Sequence, residues 1–197
     1  MKEKQTINWV ILAGGRASRM GGNDKGLIEF QGKPLIKWII DSLSQQTNSI
    51  FINANRSQEQ YQSYAETFND QITGFVGPLA GVHSAIKHSE GFEWIGVLPC
   101  DSPYIPDDFV QRFTQAMAEN TNSNIDAFVA YDGQFIQPVF AVYHCSILNK
   151  LENFLKNGDR KIKMFLESCQ VQLVDFSDST TVFINLNTPE DLSNPKV

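Results

Sequence analysis

Short apolar runs of strand length alternate along the chain with segments whose apolar residues recur at helical spacing. The strand-like runs cover residues 7–13, 50–54, 72–76, 94–99, 125–131 and 135–143. A strand buried on both faces gives a continuous apolar run, whereas a helix packed on a sheet is apolar on one side only. The alternation therefore predicts an α/β fold with a mostly parallel central sheet and helices on both faces.

Two helices and one hairpin are predicted most directly. One apolar helical face carries Leu35, Ile36, Ile39, Ile40 and Leu43, and a second, following Pro106-Asp107-Asp108, carries Phe109, Phe113, Ala116 and Met117. Asp132-Gly133 lies between two apolar runs and is typical of a tight turn joining antiparallel strands. The sequence thus predicts an antiparallel element within the otherwise parallel sheet.

Composition narrows the class of protein. The 197 residues, 42% of them hydrophobic, suit a single domain over 1–197 without linker or repeat. The formal net charge of −6 argues against general binding to nucleic acid or to an anionic membrane. Cys100, Cys145 and Cys169 are too far apart for a zinc motif or a disulfide framework, and no run approaches the ~18 apolar residues of a membrane span. We therefore expect a cytoplasmic protein whose anion-binding site is a local cluster.

The strongest candidate for that cluster is residues 10–26, VILAGGRASRMGGNDKG. The apolar run ends at Leu12, and Ala13, Gly14 and Gly15 then leave the backbone accessible to a ligand. The cations that follow within one short segment are Arg16, Arg19 and Lys25. Backbone N–H groups together with such cations favour phosphate binding. The spacing matches neither a Walker A loop nor a dinucleotide-binding fingerprint, and a solvated surface loop is the alternative interpretation.

Further candidates follow other predicted strands, each with a structural alternative. Asp101 could hold Mg²⁺ against phosphates or form a turn before a proline; Lys25 nearby favours the metal. Asn53 suits a base or ribose, and Asp70 could accept the N1–H and N2–H of guanine, although both residue types also support turns and strand ends. Gly77 and Gly81 allow close approach of a ligand or simply a tight turn into a helix.

Several motifs in order resemble the molybdenum cofactor guanylyltransferases, the MobA family of nucleotidyltransferases. They are LAGGRASRMGGNDKG, GKPL at 32–35, NANR at 53–56, GPLAG at 77–81, PCDSPYIP at 99–106, GDRKIKMFL at 158–166 and NLNTPEDL at 185–192. The resemblance implies a single-domain Rossmann-like nucleotidyltransferase fold. It also implies a GTP site formed by Leu12, Ala13, Gly14, Gly15, Lys25, Asn53, Asp70 and Asp101, with Mg²⁺ on Asp101, and a pterin side formed by Gly77, Gly81, Asn185 and Asn187.

The implied reaction joins the GMP part of GTP to the terminal phosphate of molybdenum-bearing molybdopterin and releases pyrophosphate. The attacking phosphate is already anionic, so alignment and charge neutralisation replace a general base. Catalysis would then rest on Arg19, Lys25 and Asp101. Transient contacts with a pterin-donor protein and a molybdoenzyme acceptor are also implied. The alternatives are a related enzyme that uses CTP or another nucleotide with a pterin, sugar or alcohol phosphate, and a nucleotide-binding module without turnover.

Overall fold

A computed structural model describes residues 7–15, 24–72, 77–122 and 124–194. Its strands are β1 Ile7–Leu12, β2 Glu29–Phe30, β3 Lys33–Pro34, β4 Ile50–Asn53, β5 Glu66–Phe68, β6 Trp94–Pro99, β7 Ala127–Tyr131, β8 Ile136–His144 and β9 Val171–Asp175. Its helices are α1 Leu35–Ser44, α2 Gln58–Gln62, α3 Pro78–His88, α4 Phe109–Glu119, α5 Leu148–Lys156, α6 Ile162–Glu167 and α7 Pro189–Ser193.

A central sheet contains seven of the strands in the described part of the chain, in the order β5-β4-β1-β6-β8-β7-β9. Strand β8 runs antiparallel to both of its neighbours, and the remaining pairs are parallel. Strands β7 and β8 form the hairpin predicted at Asp132-Gly133, with a register shift between Val129 and Ala130. The α/β fold with one reversed strand is thereby confirmed.

Hydrophobic cores lie on both faces of this sheet because successive residues of β1 point to opposite sides. Trp9 belongs to the core that α1 and α4 cover with residues such as Ile39 and Phe109. Val10 belongs to the opposite core, to which α3 contributes Val82 and α5 contributes Leu151. Both predicted helical faces are buried as expected, and helices cover both faces of the sheet.

The two outermost strands differ from what the sequence predicted. Ile72, where a third strand was expected to begin, lies in a bend, and 73–76 lie outside the described residues. The strand beside β4 is β5 instead. Neither β5 nor β9 is predicted from the sequence, because an edge strand is partly solvated and needs no continuous apolar run. No helix among the described residues is long and apolar enough to cross a bilayer.

The carboxyl ends of three parallel strands meet in register at one edge of the sheet. Leu12, the last residue of β1, lies opposite Asn53 of β4 on one side and Pro99 of β6 on the other. The N–H of Ala13 donates to the carbonyl of Asn53 at 2.8 Å, and the N–H of Cys100 donates to the carbonyl of Leu12 at 3.2 Å. Ligands of open α/β sheets bind at this edge, so the segments leaving these strands are placed for function.

Candidate active site

A cavity of about 550 Å³ opens at this edge of the sheet. Its lining includes Leu12, Ala13, Gly14, Gly15, Lys25, Asn53, Asp70, Gly77, Gly81 and Asp101. These residues come from separate parts of the chain, and the fold brings them to one cavity. The volume falls within the range of about 300–1,000 Å³ that is usual for small-ligand sites.

Asp70 organises one end of the cavity through two asparagine amides. Its Oδ1 accepts from Nδ2 of Asn53 at 3.0 Å, and its Oδ2 accepts from Nδ2 of Asn55 at 2.8 Å. The backbone N–H of Asp70 in turn donates to Oδ1 of Asn55 at 2.8 Å. Because the amide nitrogen of Asn53 is committed to Asp70, its oxygen Oδ1 is left facing the glycines beside it.

Glycines make room for that oxygen. A Cβ at Gly81 would lie 3.0 Å from Oδ1 of Asn53 and 2.9 Å from Cδ2 of Leu12, and a Cβ at Gly14 would lie 2.8 Å from Nδ2 of Asn55. Gly77 has φ +80° and directly precedes Pro78, the first residue of α3. Gly77 is required by the turn itself, whereas Gly81 packs closely against Asn53 and Leu12, and Gly14 packs closely against Asn55.

Lys25 and Asp101 form an ion pair at the other end of the cavity. Nζ of Lys25 lies 3.0 Å from Oδ2 of Asp101, and the two side chains are 27% and 12% exposed. The same ammonium donates to Oδ1 of Asn187. A cation and a carboxylate thus lie together where the glycine segment and the segment after β6 meet.

Asn185 and Asn187 are not among the residues that line the cavity, but they contact residues at this end of it. Oγ of Ser102 donates to Oδ1 of Asn185 at 2.5 Å, and the N–H of Leu186 donates to the carbonyl of Asp101 at 2.9 Å. The backbone N–H of Asn187 is held by Asp191, whose carboxylate also completes the N-terminal capping box of α7. The C-terminal segment therefore adds Asn187 to the Lys25–Asp101 pair rather than forming a separate site.

Cys100 precedes Asp101 but is unsuited to act as a nucleophile. Burial raises the pKa of the Cys100 thiol, and the neighbouring Asp101 carboxylate raises it further. The thiol therefore stays protonated near neutral pH. Within the described ranges, no group of three or more His, Cys, Asp or Glu side chains is arranged to hold a metal. A single carboxylate suits Mg²⁺, which takes one or two protein carboxylates together with substrate phosphates and water.

The structure adds Asp24, Asn55 and Arg56 to the candidates found by sequence. Nη2 of Arg56 lies 2.7 Å from Oδ1 of Asp24 and 3.4 Å from the carbonyl oxygen of Gly15. The signal for Asn55 and Arg56 was the polar NANR segment directly after β4, whereas nothing local marked Asp24. Arg16 and Arg19 lie outside the described residues, so their predicted role in phosphate binding stays a prediction.

Comparison with known proteins gives the family. The model of the MobA-like NTP transferase domain matches residues 9–174. The chain belongs to this family. It is 53% identical over 192 residues to a molybdenum cofactor guanylyltransferase of Photobacterium profundum, covering 98% of this chain and 96% of that protein. A protein of the same name from Vibrio campbellii is 51% identical over 193 residues, with the same coverage of the two chains.

Solved structures agree with the fold. A molybdopterin-guanine dinucleotide biosynthesis protein A from Archaeoglobus fulgidus superposes with a TM-score of 0.74 at 27% identity, covering 94% of each chain. A 4-diphosphocytidyl-2C-methyl-D-erythritol synthase from Anaerococcus prevotii gives a TM-score of 0.69 at 14% identity, covering 97% of this chain and 94% of that one. The second likeness concerns the fold alone.

Proposed function

We propose that the chain transfers GMP from GTP to the terminal phosphate of molybdenum-bearing molybdopterin, yielding the guanine dinucleotide form of the cofactor and pyrophosphate. An oxygen of the acceptor phosphate attacks the α-phosphorus of GTP, and the bond from that phosphorus to the oxygen bridging to the β-phosphate breaks. The relatives named as guanylyltransferases support the assignment. The observation that carries it is one cavity with the Asn53–Asp70 pair at one end and the Lys25–Asp101 pair at the other.

Guanine recognition is proposed at the end that holds Asn53 and Asp70. The Asn53 amide presents Oδ1 as an acceptor. The Asp70 carboxylate retains further lone pairs beyond those that accept the two asparagine hydrogen bonds. Guanine offers adjacent N1–H and N2–H donors, whereas adenine places an unprotonated N1 at the same edge. Adenine would leave Oδ1 of the buried Asn53 without a donor, and an unpaired buried acceptor discriminates strongly between ligands.

The triphosphate and the metal are proposed at the end that holds Lys25 and Asp101. Mg²⁺, when bound by Asp101, supplies positive charge to the phosphate oxygens. Lys25 is paired with that carboxylate, and it takes up charge that develops on the departing pyrophosphate. We propose that Arg19 also takes up charge on the departing pyrophosphate and that Arg16 assists it. Since the attacking phosphate is already anionic, this chain's residues align two anions and need no general base.

The acceptor is proposed to enter between the α3 glycines and the C-terminal segment. Gly77 and Gly81 border the cavity beside the nucleotide residues. Asn187 contacts Lys25 directly, and Asn185 is anchored to Ser102. In this proposal the pterin phosphate approaches Lys25 from the side of Asn187, which would bring it toward the α-phosphate. The whole chain, 1–197, acts as one nucleotidyltransferase domain.

The proposed reaction also implies a cellular compartment and partner proteins. Cys100, Cys145 and Cys169 are all free thiols, as expected in a reducing compartment, so we expect the reaction to occur in the cytoplasm. Transient contacts with a protein that donates the pterin and with a molybdoenzyme that accepts the product are part of the proposal.

The decisive experiment measures pyrophosphate release with Mg²⁺ and the molybdenum-bearing pterin, with GTP and CTP in parallel reactions. We expect release with GTP and a strong preference for GTP over CTP. Asp101→Ala should fold yet lower turnover by orders of magnitude, because charge stabilisation by a bound metal is worth several kcal/mol. A preference for CTP would refute the guanylyl assignment. A shift in melting temperature with GTP but no pyrophosphate would indicate a binding module.

A further inference from the structure

An ion pair between the nearly buried carboxylate of Asp24 and the exposed side chain of Arg56 joins the two flanks of the glycine-rich segment, outside the proposed substrate contacts. The Asp24 side chain is only 4% exposed, and Arg56 is its cationic partner at 2.7 Å. The same arginine nitrogen, Nη2, also donates to the carbonyl of Gly15 at 3.4 Å. Gly15 and Asp24 are the described residues on either side of 16–23. The guanidinium of Arg56 therefore contacts both Gly15 and Asp24.

Asp24 fixes the position of the turn that begins at Lys25. The carbonyl of Asp24 accepts from the N–H of Leu27 at 3.0 Å, which closes the 3-10 turn Lys25–Leu27. Gly26, which follows Lys25, is packed so closely that a Cβ there would lie 2.8 Å from the Tyr61 hydroxyl oxygen. The backbone of Lys25 is thus restrained on one side by the Asp24–Arg56 ion pair and on the other by the tight packing of Gly26.

Arg56 is itself anchored to the proposed base end of the cavity. It follows Asn55, which donates to Asp70 at 2.8 Å and to the carbonyl of Gly14 at 3.5 Å. Removing Arg56 would leave the Asp24 carboxylate buried without its partner, and a buried charge without a counter-ion forces local rearrangement. That rearrangement would fall on the turn that carries Lys25.

We propose that Arg56 is a positioning residue that holds Lys25 against the triphosphate through Asp24, without touching the substrate. This inference rests on the proposed function, since it assumes that Lys25 binds phosphate. Arg56 couples the end of β4, where the base is read, to the 3-10 turn that presents the cation. Its effect should therefore appear in phosphate binding, and only while Lys25 is present.

The test measures binding of GTP and of guanosine to the full chain by calorimetry, without acceptor. Arg56→Gln should weaken GTP binding by about tenfold or more, as expected for a displaced charge-assisted contact, and leave guanosine binding unchanged. Arg56→Lys keeps a cation beside the Asp24 carboxylate and should restore part of the affinity. In a Lys25→Ala background, Arg56→Gln should have no further effect.

Arg112→Gln provides the matched control. Arg112 pairs with Asp178 at 2.6 Å and with Asp108 at 2.8 Å on the surface, so its loss should leave GTP affinity unchanged. If Arg56→Gln does not fold, Asp24→Asn takes its place with the same expected results. Unchanged GTP affinity, an equal loss for guanosine, or a full additional loss in the Lys25→Ala background would each overturn the proposal. A wild-type chain that binds no GTP would instead overturn the proposed function.

Discussion

Replacing Lys25 with alanine should lower stability measurably, although the residue lies at a ligand site. The substitution removes the counter-ion of Asp101, whose side chain is 12% exposed, and the contact to Asn187. An exposed ion pair contributes about 0.2–1 kcal/mol, whereas removing one partner of a fully buried pair costs about 3–5 kcal/mol. The partly buried Lys25–Asp101 pair lies between these limits, and we expect a loss of about 1–3 kcal/mol.

Thermal unfolding without Mg²⁺ or nucleotide tests this expectation. For a domain of this size, 1 kcal/mol shifts Tm by about 2–4 °C, so Lys25→Ala should melt roughly 2–12 °C below the wild type. Adding Asp101→Asn to Lys25→Ala should recover part of the loss, because the unpaired charge is then gone. The control is Lys37→Ala, which removes an exposed i,i+4 partner of Asp41 and should shift Tm by no more than about 2 °C.

Two results would refute this reasoning. A Lys25→Ala protein that melts within 1 °C of the wild type would mean that the Asp101 carboxylate is as well solvated without the lysine as it is paired with it. A further drop in Tm when Asp101→Asn is added to Lys25→Ala would mean that the carboxylate is stabilised by something other than the ammonium group.

Three further expectations follow from the described contacts. Asp70→Ala should reduce the preference for GTP over ATP, because Asp70 orients the Asn53 amide; kcat/KM for the two nucleotides measures this, and an unchanged preference would remove Asp70 from base selection. Gly96→Ala should destabilise the protein by about 1–3 kcal/mol, since the new Cβ would lie 2.4 Å from the Trp9 ring; denaturant unfolding should show the loss, and a wild-type midpoint would contradict the packing argument. Iodoacetamide at pH 8 should label the half-buried Cys145 before Cys100, whose pKa is raised by burial; peptide mapping gives the order, and equal rates would contradict it.

The features that could be predicted best are those encoded by adjacent residues. The apolar runs that became β1, β6 and β8, and the Asp132-Gly133 hairpin, carry their signal in adjacent residues. The edge strands β5 and β9 carried no such signal because half-solvated strands tolerate polar residues such as Glu66. The candidate cavity could be predicted because strand ends in a parallel sheet converge by topology.

Pairings between distant side chains could not be predicted in the same way. Arg56 lies 32 residues from Asp24, and Lys25 lies 162 residues from Asn187. Their meeting depends on the directions taken by the segments that follow β4 and β9, which no residue spacing encodes. The resemblance to a family indicated that Asn187 matters, but only the geometry connects it with Lys25 rather than with a separate site.

The strand order of the sheet has a consequence for how the chain folds during synthesis. Strand β1 pairs with β4 and with β6, so Trp9 meets Gly96 only after residues 94–99 have been made. Contacts of such sequence separation are slow to form because a long loop must close first. Until then β1 retains one unpaired edge on the emerging chain, a surface that promotes aggregation in nascent proteins. We expect chains truncated before residue 94 to depend on chaperones that cover this edge of β1, and chains that include β6 to protect β1 from proteolysis.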